Sequence, residues 1–392
     1  MKQLPTELIH HAYQPPAGFE AIAPPVHKAS TIVFPSLHAL RNRDWRHKTG
    51  YTYGLHGTPT TFMLEERLAT LEGARHCMLV PSGLAAITLV DMALLAAGDE
   101  VLIPDNAYGP NKAFAEAELK AWGITAVYYD PMQPAQLASL LTPRSRLVWL
   151  EVPGSITLEF PDLPALVQVV RSHTAAHPRG VVTALDNTWG AGIAFDAFEM
   201  GVDISIQALT KYPSGGADVL MGSVCTRDEA LHHTLHLTHM RLGIGVGAND
   251  VELVLRGLPS IALRYAAQDK ATRALAQWMQ GRPEIDAVLH PALPGSPGHT
   301  FWQRDCKAAA CLFSVVFKPE FSPARVDAFC EALQLFKIGY SWAGPLSLAV
   351  PYDVPSLRSL GWSHPGTLVR FAVGLEAEED LKADIAQALA VM

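Results

Sequence analysis

Between Thr60 and Val224 the chain alternates short, nearly continuous apolar runs with segments of helical period, and this alternation restricts the fold more than any single residue does. The runs are Cys77-Met-Leu-Val, Glu100-Val-Leu-Ile, Ala126-Val-Tyr-Tyr, Leu147-Val-Trp-Leu-Glu-Val, Val181-Val-Thr-Ala-Leu-Asp, Ile204-Ser-Ile-Gln-Ala and Val219-Leu-Met-Gly-Ser-Val. Each is short for a helix and too apolar for a strand with one wet face. A strand covered by helices on both faces is what remains. Between the runs, Phe62, Leu64, Leu68 and Leu71 mark one helix, and 85–95, 112–122 and 163–173 read as others. The pattern predicts an α/β fold, a mostly parallel sheet of the seven-stranded type, with any ligand bound beyond the strands' carboxyl ends.

The flanks differ. Residues 1–57 are rich in Pro, Gly, His and aromatics without periodicity (Pro15-Pro-Ala-Gly, Pro24-Pro), and we read an irregular arm packed on something larger, such as a second subunit. The large α/β domain then spans 58–248, and a smaller C-terminal α+β domain spans 249–392. A long helical stretch from about Asp250 to Met279 opens the smaller domain, in which Leu312–Phe317 and Leu368–Val373 alternate like half-buried strands.

Composition excludes several classes of function. The net charge is −8, and the densest basic stretch, Arg41 to Lys48, is short and interrupted, so neither nucleic acid nor an anionic membrane surface is an expected partner. No apolar run reaches 18 residues and residues 1–10 carry no apolar leader, so a cytoplasmic chain is expected. Five cysteines, Cys77, Cys225, Cys306, Cys311 and Cys330, include no CxxC pair, which fits a reducing compartment without a disulfide framework. Of the sixteen histidines none stands in HExxH or in a mixed Cys/His spacing. His232, His233, His236 and His239 read as residues of one helix, and no metal is expected.

Two residues carry the chemistry. Asp186 ends one apolar run and Lys211 follows the next. A carboxylate and an amine at neighbouring strand ends are what a pyridoxal phosphate enzyme needs, the first for the pyridine nitrogen and the second for the aldehyde. Solvated strand-end residues would read alike, since most Asp and Lys in such chains are surface groups. Pro81-Ser-Gly-Leu lies between a strand and a helix, so the amides of Gly83 and Leu84 are placed to meet a phosphate; an ordinary glycine turn capped by Ser82 is the alternative. Thr210 offers a hydroxyl beside Lys211. Tyr108, just past a strand end, offers a ring to stack on a cofactor and a phenol to reach a reacting amine, or else simply packs its loop.

In this order the motifs resemble the cystathionine β-lyases of the Cys/Met-metabolism family, pyridoxal phosphate enzymes of fold type I, from Thr31-Ile-Val-Phe to Val369-Arg-Phe-Ala-Val-Gly-Leu-Glu. Glu151-Val-Pro-Gly-Ser-Ile-Thr resembles the β-lyases' SPGS-type loop, and Tyr340-Ser-Trp-Ala-Gly their YSWGG. Relatives that work at Cγ commonly carry a Glu near the second segment, where this chain has Ser341 and Trp342. The resemblance implies β-elimination of L-cystathionine to homocysteine, pyruvate and ammonia, a step of methionine biosynthesis. A cystathionine or methionine γ-lyase, a broad cysteine-conjugate β-lyase or cysteine desulfhydrase, and a cofactor-free binding protein on the same fold are the alternatives. It also implies catalytic Lys211 and Tyr108, and Arg370 as the clamp for the substrate carboxylate with Ser341 and Trp342 beside it. Tyr53 is implied to reach a neighbouring subunit's phosphate and substrate within a tetramer. Two departures stand out: Leu55 replaces the arginine common in the neighbour's segment, leaving His56 as a weaker substitute, and Ala208 stands where several relatives have a phosphate-binding serine.

Overall fold

Thr58 starts the first long helix of the large unit. Its hydroxyl accepts the Thr61 amide while the Thr61 hydroxyl accepts the Thr58 amide, Pro59 takes the first helical position, and Gly73 closes the helix at φ 67°. This is the helix Pro59–Glu72 of the computed structural model, which describes residues 3–10, 16–19, 21–44, 50–175 and 179–392. Residues 11–15 and 45–49 lie outside the described residues, so the start of the Pro15-Pro-Ala-Gly segment and the second half of the Arg41–Lys48 stretch do too.

Seven strands form the first sheet: β1 (His76–Val80), β2 (Glu100–Pro104), β3 (Thr125–Tyr129), β4 (Ser145–Glu151), β5 (Val182–Asp186), β6 (Ile204–Ala208) and β7 (Gly222–Thr226). Their order is β1-β7-β6-β5-β4-β2-β3, and only β7 runs against its neighbours. The mostly parallel seven-stranded sheet read from the sequence is therefore present. Because β7 is antiparallel to both β6 and β1, β1 points the same way as β2, β4, β5 and β6. Their carboxyl ends open on one edge, which gathers Ser82, Asp105, Glu151, Asp186 and the segment after Ala208.

The second sheet comprises β8 (Ile285–Leu289), β9 (Leu312–Phe317), β10 (Lys337–Ile338), β11 (Leu348–Tyr352) and β12 (Leu368–Ala372), in the order β10-β11-β12-β9-β8. Every residue of β9 and β12 is buried, so the half-buried reading of these strands is corrected. Phe313, Val315 and Phe317 pack with Leu275, Met279, Phe329 and Ile385 from helices on one face. Leu312 joins the core of the large unit instead, and the Ser314 hydroxyl donates to the Ile156 carbonyl at 2.7 Å. The alternation was real, but the polar-looking face meets protein rather than water.

The stretch 250–279 is likewise two helices, Ala248–Gly257 and Ile261–Gln280, joined by a single 3-10 turn Leu258–Ser260. Pro259 lacks the amide that a continuous helix needs, and its ring crowds the carbonyl four residues back. The strand read from Val219 begins at Gly222 because Met221 is tied sideways to Thr210. All five cysteines are free thiols.

Candidate active site

Lys211 sits three residues past β6, most of its side chain out of solvent. Its Nζ donates to the Ser341 hydroxyl at 2.7 Å and lies 5.5 Å from the Trp342 ring centroid. Burial, and next the Arg370 charge, lower the Lys211 pKa to about 8, against the opposing pull of Cys311 and Asp186. A free amine is thus populated at pH values where an ordinary lysine has almost none, which suits both nucleophile and base.

Asp186 closes β5, in register with Glu151 on β4 and Ile206 on β6. Its Oδ1 accepts the Thr188 amide at 3.0 Å and the Thr188 hydroxyl at 2.5 Å. Burial raises its pKa, and the two Thr188 bonds and the Lys211 charge resist that rise. The Thr188 oxygen also accepts the Ala208 amide at 2.9 Å. One hydroxyl therefore couples Asp186 to the end of the strand that delivers Lys211.

At the far side of this edge, Ser82 caps the helix Gly83–Leu94 by accepting the Ala85 amide at 3.0 Å. The amides of Gly83 and Leu84 belong to the first turn, whose N–H groups have no partner within a helix and carry its positive end. Gly83 packs so closely on β6 that a Cβ there would come within 2.7 Å of the Ala208 Cβ. Glycine at 83 is thus a packing requirement imposed by the Cβ at 208; the structure gives no reason for alanine rather than serine there. Thr210 points elsewhere: its hydroxyl donates to the Met221 carbonyl at 3.3 Å and accepts the Met221 amide at 3.2 Å.

Arg370 rises from the middle of β12, between Val350 and Ser314, and only 7 % of it is exposed. Its Nε is buried with no hydrogen-bond partner, and its guanidinium lies 5.3 Å from the Tyr352 ring centroid. A charged donor left unmatched in a low-dielectric interior is costly, and an arriving carboxylate would match it. Ser341 and Trp342 both meet the Lys211 amine. Ser341 adopts φ 101°, a left-handed conformation costly for a residue with a Cβ, and Trp342 is propped edge-on by Tyr212 at 5.9 Å.

Tyr108 stands at the mouth with 42 % of its surface exposed, and its phenol is raised in pKa by burial, then by Asp186 and Glu151. Its loop is held at both ends. The Tyr108 amide donates to Glu151 Oε2 at 2.7 Å, and Asp105 accepts from Lys112, the Arg358 side chain, the Ser359 amide and hydroxyl and the Leu360 amide. Burial alone would raise the Asp105 pKa, but these donors hold it far below the usual carboxylate range. Arg358 also bonds Glu159, so the C-terminal unit is latched onto the loop that carries Tyr108.

Glu151 and Glu72 escaped the sequence reading as site residues. Glu151 is pushed well above the ordinary carboxylate pKa by burial and then by Asp186 beside it. It ends an apolar run as Asp186 does, so the same signal could have found it. Glu72 is raised to about 7 by burial despite accepting from Ser205 and Asn187, and it also accepts from Gln207. It braces β5 and β6 from beneath, and nothing local in the sequence marks it. Tyr53, by contrast, does not join Lys211 within the chain. It lines a cavity of about 470 Å³ with Arg43, His56 and Arg241, and its ring neighbour is His56 at 5.9 Å.

The profile of the Cys/Met metabolism PLP-dependent enzymes matches residues 5–390. The chain belongs to this family. A putative cystathionine beta-lyase of Rhizobium johnstonii is 40% identical over 98% of the chain and 95% of its own length. Cystathionine beta-lyase MetC of Escherichia coli is 35% identical over 98% and 97%. A crystal structure of metB from Corynebacterium glutamicum superposes with a TM-score of 0.88 at 27% identity, covering 99% of this chain and 98% of that one. Family members of this kind are pyridoxal phosphate enzymes of fold type I, and the two-sheet architecture agrees. Other names occur among relatives: a rat cystathionine gamma-lyase is 31% identical over 87% of the chain and 85% of its own length, and an L-alanine/L-glutamate racemase of Wolbachia pipientis is 33% identical over 94% and 92%. No described helix is long and apolar enough to cross a membrane.

Proposed function

We propose that the chain cleaves L-cystathionine by β-elimination, giving homocysteine, pyruvate and ammonia. The observation that carries this reading is the composition around the Lys211 amine: a serine hydroxyl at 2.7 Å, a tryptophan face and a buried, unmatched arginine. No carboxylate from the 340s segment meets the amine there, as the resemblance leads one to expect of a Cγ enzyme. The two β-lyase relatives described above support the same choice.

The residues present fit pyridoxal phosphate. Lys211 would hold the aldehyde, Asp186 the pyridine nitrogen, the first-turn amides of Gly83 and Leu84 the phosphate, and Tyr108 one ring face, while the Thr210 hydroxyl stays engaged with the Met221 backbone. When bound, the cofactor supplies an electron sink that makes the substrate Cα–H acidic. Burial raises the Asp186 pKa, while its Thr188 bonds and the Lys211 charge favour the carboxylate, the form that would keep the sink cationic. Arg370 would take the substrate α-carboxylate in paired donors and so orient the substrate Cα. Lys211 would take the Cα proton and return a proton to the departing sulfur, with the Tyr108 phenol at the mouth of the same site. Ser341 holds Lys211 in place, and Trp342 excludes water from the amine.

The arm serves a second copy of the chain in this reading. Phe19, Ile22 and Val33 are 65 %, 101 % and 89 % exposed, an apolar surface that a partner would cover. Tyr53 would then reach the partner's phosphate and substrate, within the homotetramer that the resemblance implies. Product analysis tests the proposal: pyruvate with homocysteine from cystathionine supports it, whereas 2-oxobutyrate with cysteine establishes γ-elimination and racemised alanine without sulfur release establishes a racemase like the Wolbachia relative.

A further inference from the structure

The opposite edge of the first sheet carries a cluster that the proposed chemistry does not use. His76 begins β1, and the helix Glu229–Arg241 starts beside it with Asp228 as its cap, the Asp228 carboxylate accepting the Leu231 amide at 2.8 Å. Glu229 and His232 are spaced i, i+3, so they share the helix face that looks at the strand. His76 Nε2 lies 3.1 Å from Glu229 Oε2, and the His76 and His232 rings lie parallel, 4.1 Å apart with 9° between their planes. One ligand atom from each of the three residues lies within 4.8 Å of the other two.

These distances suit a transition metal. Bonds of about 2.0–2.2 Å to nitrogen and oxygen place adjacent ligands of a tetrahedral ion roughly 3.3 Å apart. The His76–Glu229 pair already has that spacing, and a turn of the His232 ring about its side-chain bonds brings the third donor in. Glu229 is largely exposed, its side chain keeping 63 % of its surface, so water can complete the shell. Two imidazoles and one carboxylate are a borderline donor set, suited to Zn²⁺, Ni²⁺ or Cu²⁺ and poorly suited to Mg²⁺ or Ca²⁺, which require oxygen. Behind the cluster, His236 stacks on His232 at 5.8 Å and limits how far that ring can swing. Arg75, 3.7 Å from Glu229, is the cation such an ion would displace.

We propose that His76, Glu229 and His232 bind one divalent cation of the Zn²⁺ class, clamping the helix Glu229–Arg241 to the first residue of β1. The site lies at the amino end of β1, while the Ser82–Gly83 turn lies past its carboxyl end. Five strand residues at about 3.3 Å each separate the two.

The test uses the full chain with its cofactor, dialysed against a chelator and then titrated with Zn²⁺ by calorimetry, with Co²⁺ as a spectroscopic probe. One Zn²⁺ per chain is expected, with a Co²⁺ spectrum of nitrogen and oxygen ligation lacking the intense thiolate band. His232→Gln and Glu229→Gln change residues of the helix's first turn that are not buried, and each should weaken binding at least about tenfold, a loss that even outer-shell partners of metals cause. His76→Ala should do the same, with turnover of cystathionine and the melting temperature of the metal-free protein checked alongside as evidence of intact folding. Cys306→Ser should leave binding unchanged. Less than half an equivalent bound, affinity preserved in His232→Gln, or loss of binding in Cys306→Ser alone would overturn the proposal.

Discussion

Replacing Arg370 separates a substrate clamp from a structural ion. Arg370 is only 7 % exposed as a residue, and its Nε is buried with no partner, so the free protein carries the cost of a buried, imperfectly matched cation. A hydrogen bond to a charged group contributes about 1.5–3 kcal/mol, and about 1.4 kcal/mol is a tenfold change in rate. Arg370→Lys keeps the charge but loses one arm of the fork, so kcat/KM for cystathionine should fall roughly 10- to 150-fold. Arg370→Gln loses both charged bonds, about 3–6 kcal/mol, and should fall by roughly 10² to 10⁴. Because Arg370 is the second largest cause of the low Lys211 pKa, only the Gln variant should also raise that pKa in cofactor-free protein. Pyruvate release coupled to a dehydrogenase measures the first effect, and urea melts measure the control. Breaking a structural buried ion pair costs about 3–5 kcal/mol, whereas removing an unmatched cation costs little or stabilises. A Gln variant that retains turnover but loses several kcal/mol of stability refutes the clamp.

Four further outcomes follow from other contacts. Gly83→Ala should lower urea stability by about 1–3 kcal/mol through overpacking on Ala208 and weaken cofactor retention, and adding Ala208→Gly should recover most of both; failure of that rescue removes the close-packing argument. In cofactor-free protein, Lys211 has a folded pKa of about 8 against 10.5, so its charge costs stability below pH 8 and the cost fades as pH rises to about 10.5; Lys211→Met should therefore be more stable than the parent at pH 7, by up to about 3 kcal/mol, with the gap closing by pH 10.5 in melts across that range. Glu151→Gln should leave the neutral-pH melt nearly unchanged, while Glu151→Ala, which strands the Tyr108 amide, should cost about 1–3 kcal/mol and raise KM; equal behaviour of the two would contradict a hydrogen-bonded support. Mixing inactive Lys211→Ala chains with Tyr53→Phe chains under exchange should restore activity above that of either alone, and no gain would mean that each site is built from one chain.

Much of this was legible before any coordinates because Asp186 and Lys211 end apolar runs, and a parallel sheet sends the ends of such runs to one edge. Gly83 could be placed for the same reason. Arg370 could be assigned only through the resemblance, since nothing in Leu368–Ala372 says that one guanidinium points inward without a partner. Contacts of long sequence range were invisible: Glu72 with Asn187, Ser205 and Gln207, Asp105 with Ser359 and Leu360, and His76 with His232. Pro259 was visible and should have split the long helical stretch. The burial of β9 and β12 was not, because a strand with one face against a second domain shows the same alternation as one facing water.

Borohydride reduction of the purified protein, followed by peptide mass spectrometry, tests the central chemistry most directly. A pyridoxyl phosphate group should be fixed on Lys211 alone, and prior saturation with cystathionine should sharply reduce it. The same mass on another lysine, or no modified lysine in a protein that still releases pyruvate, would contradict the account.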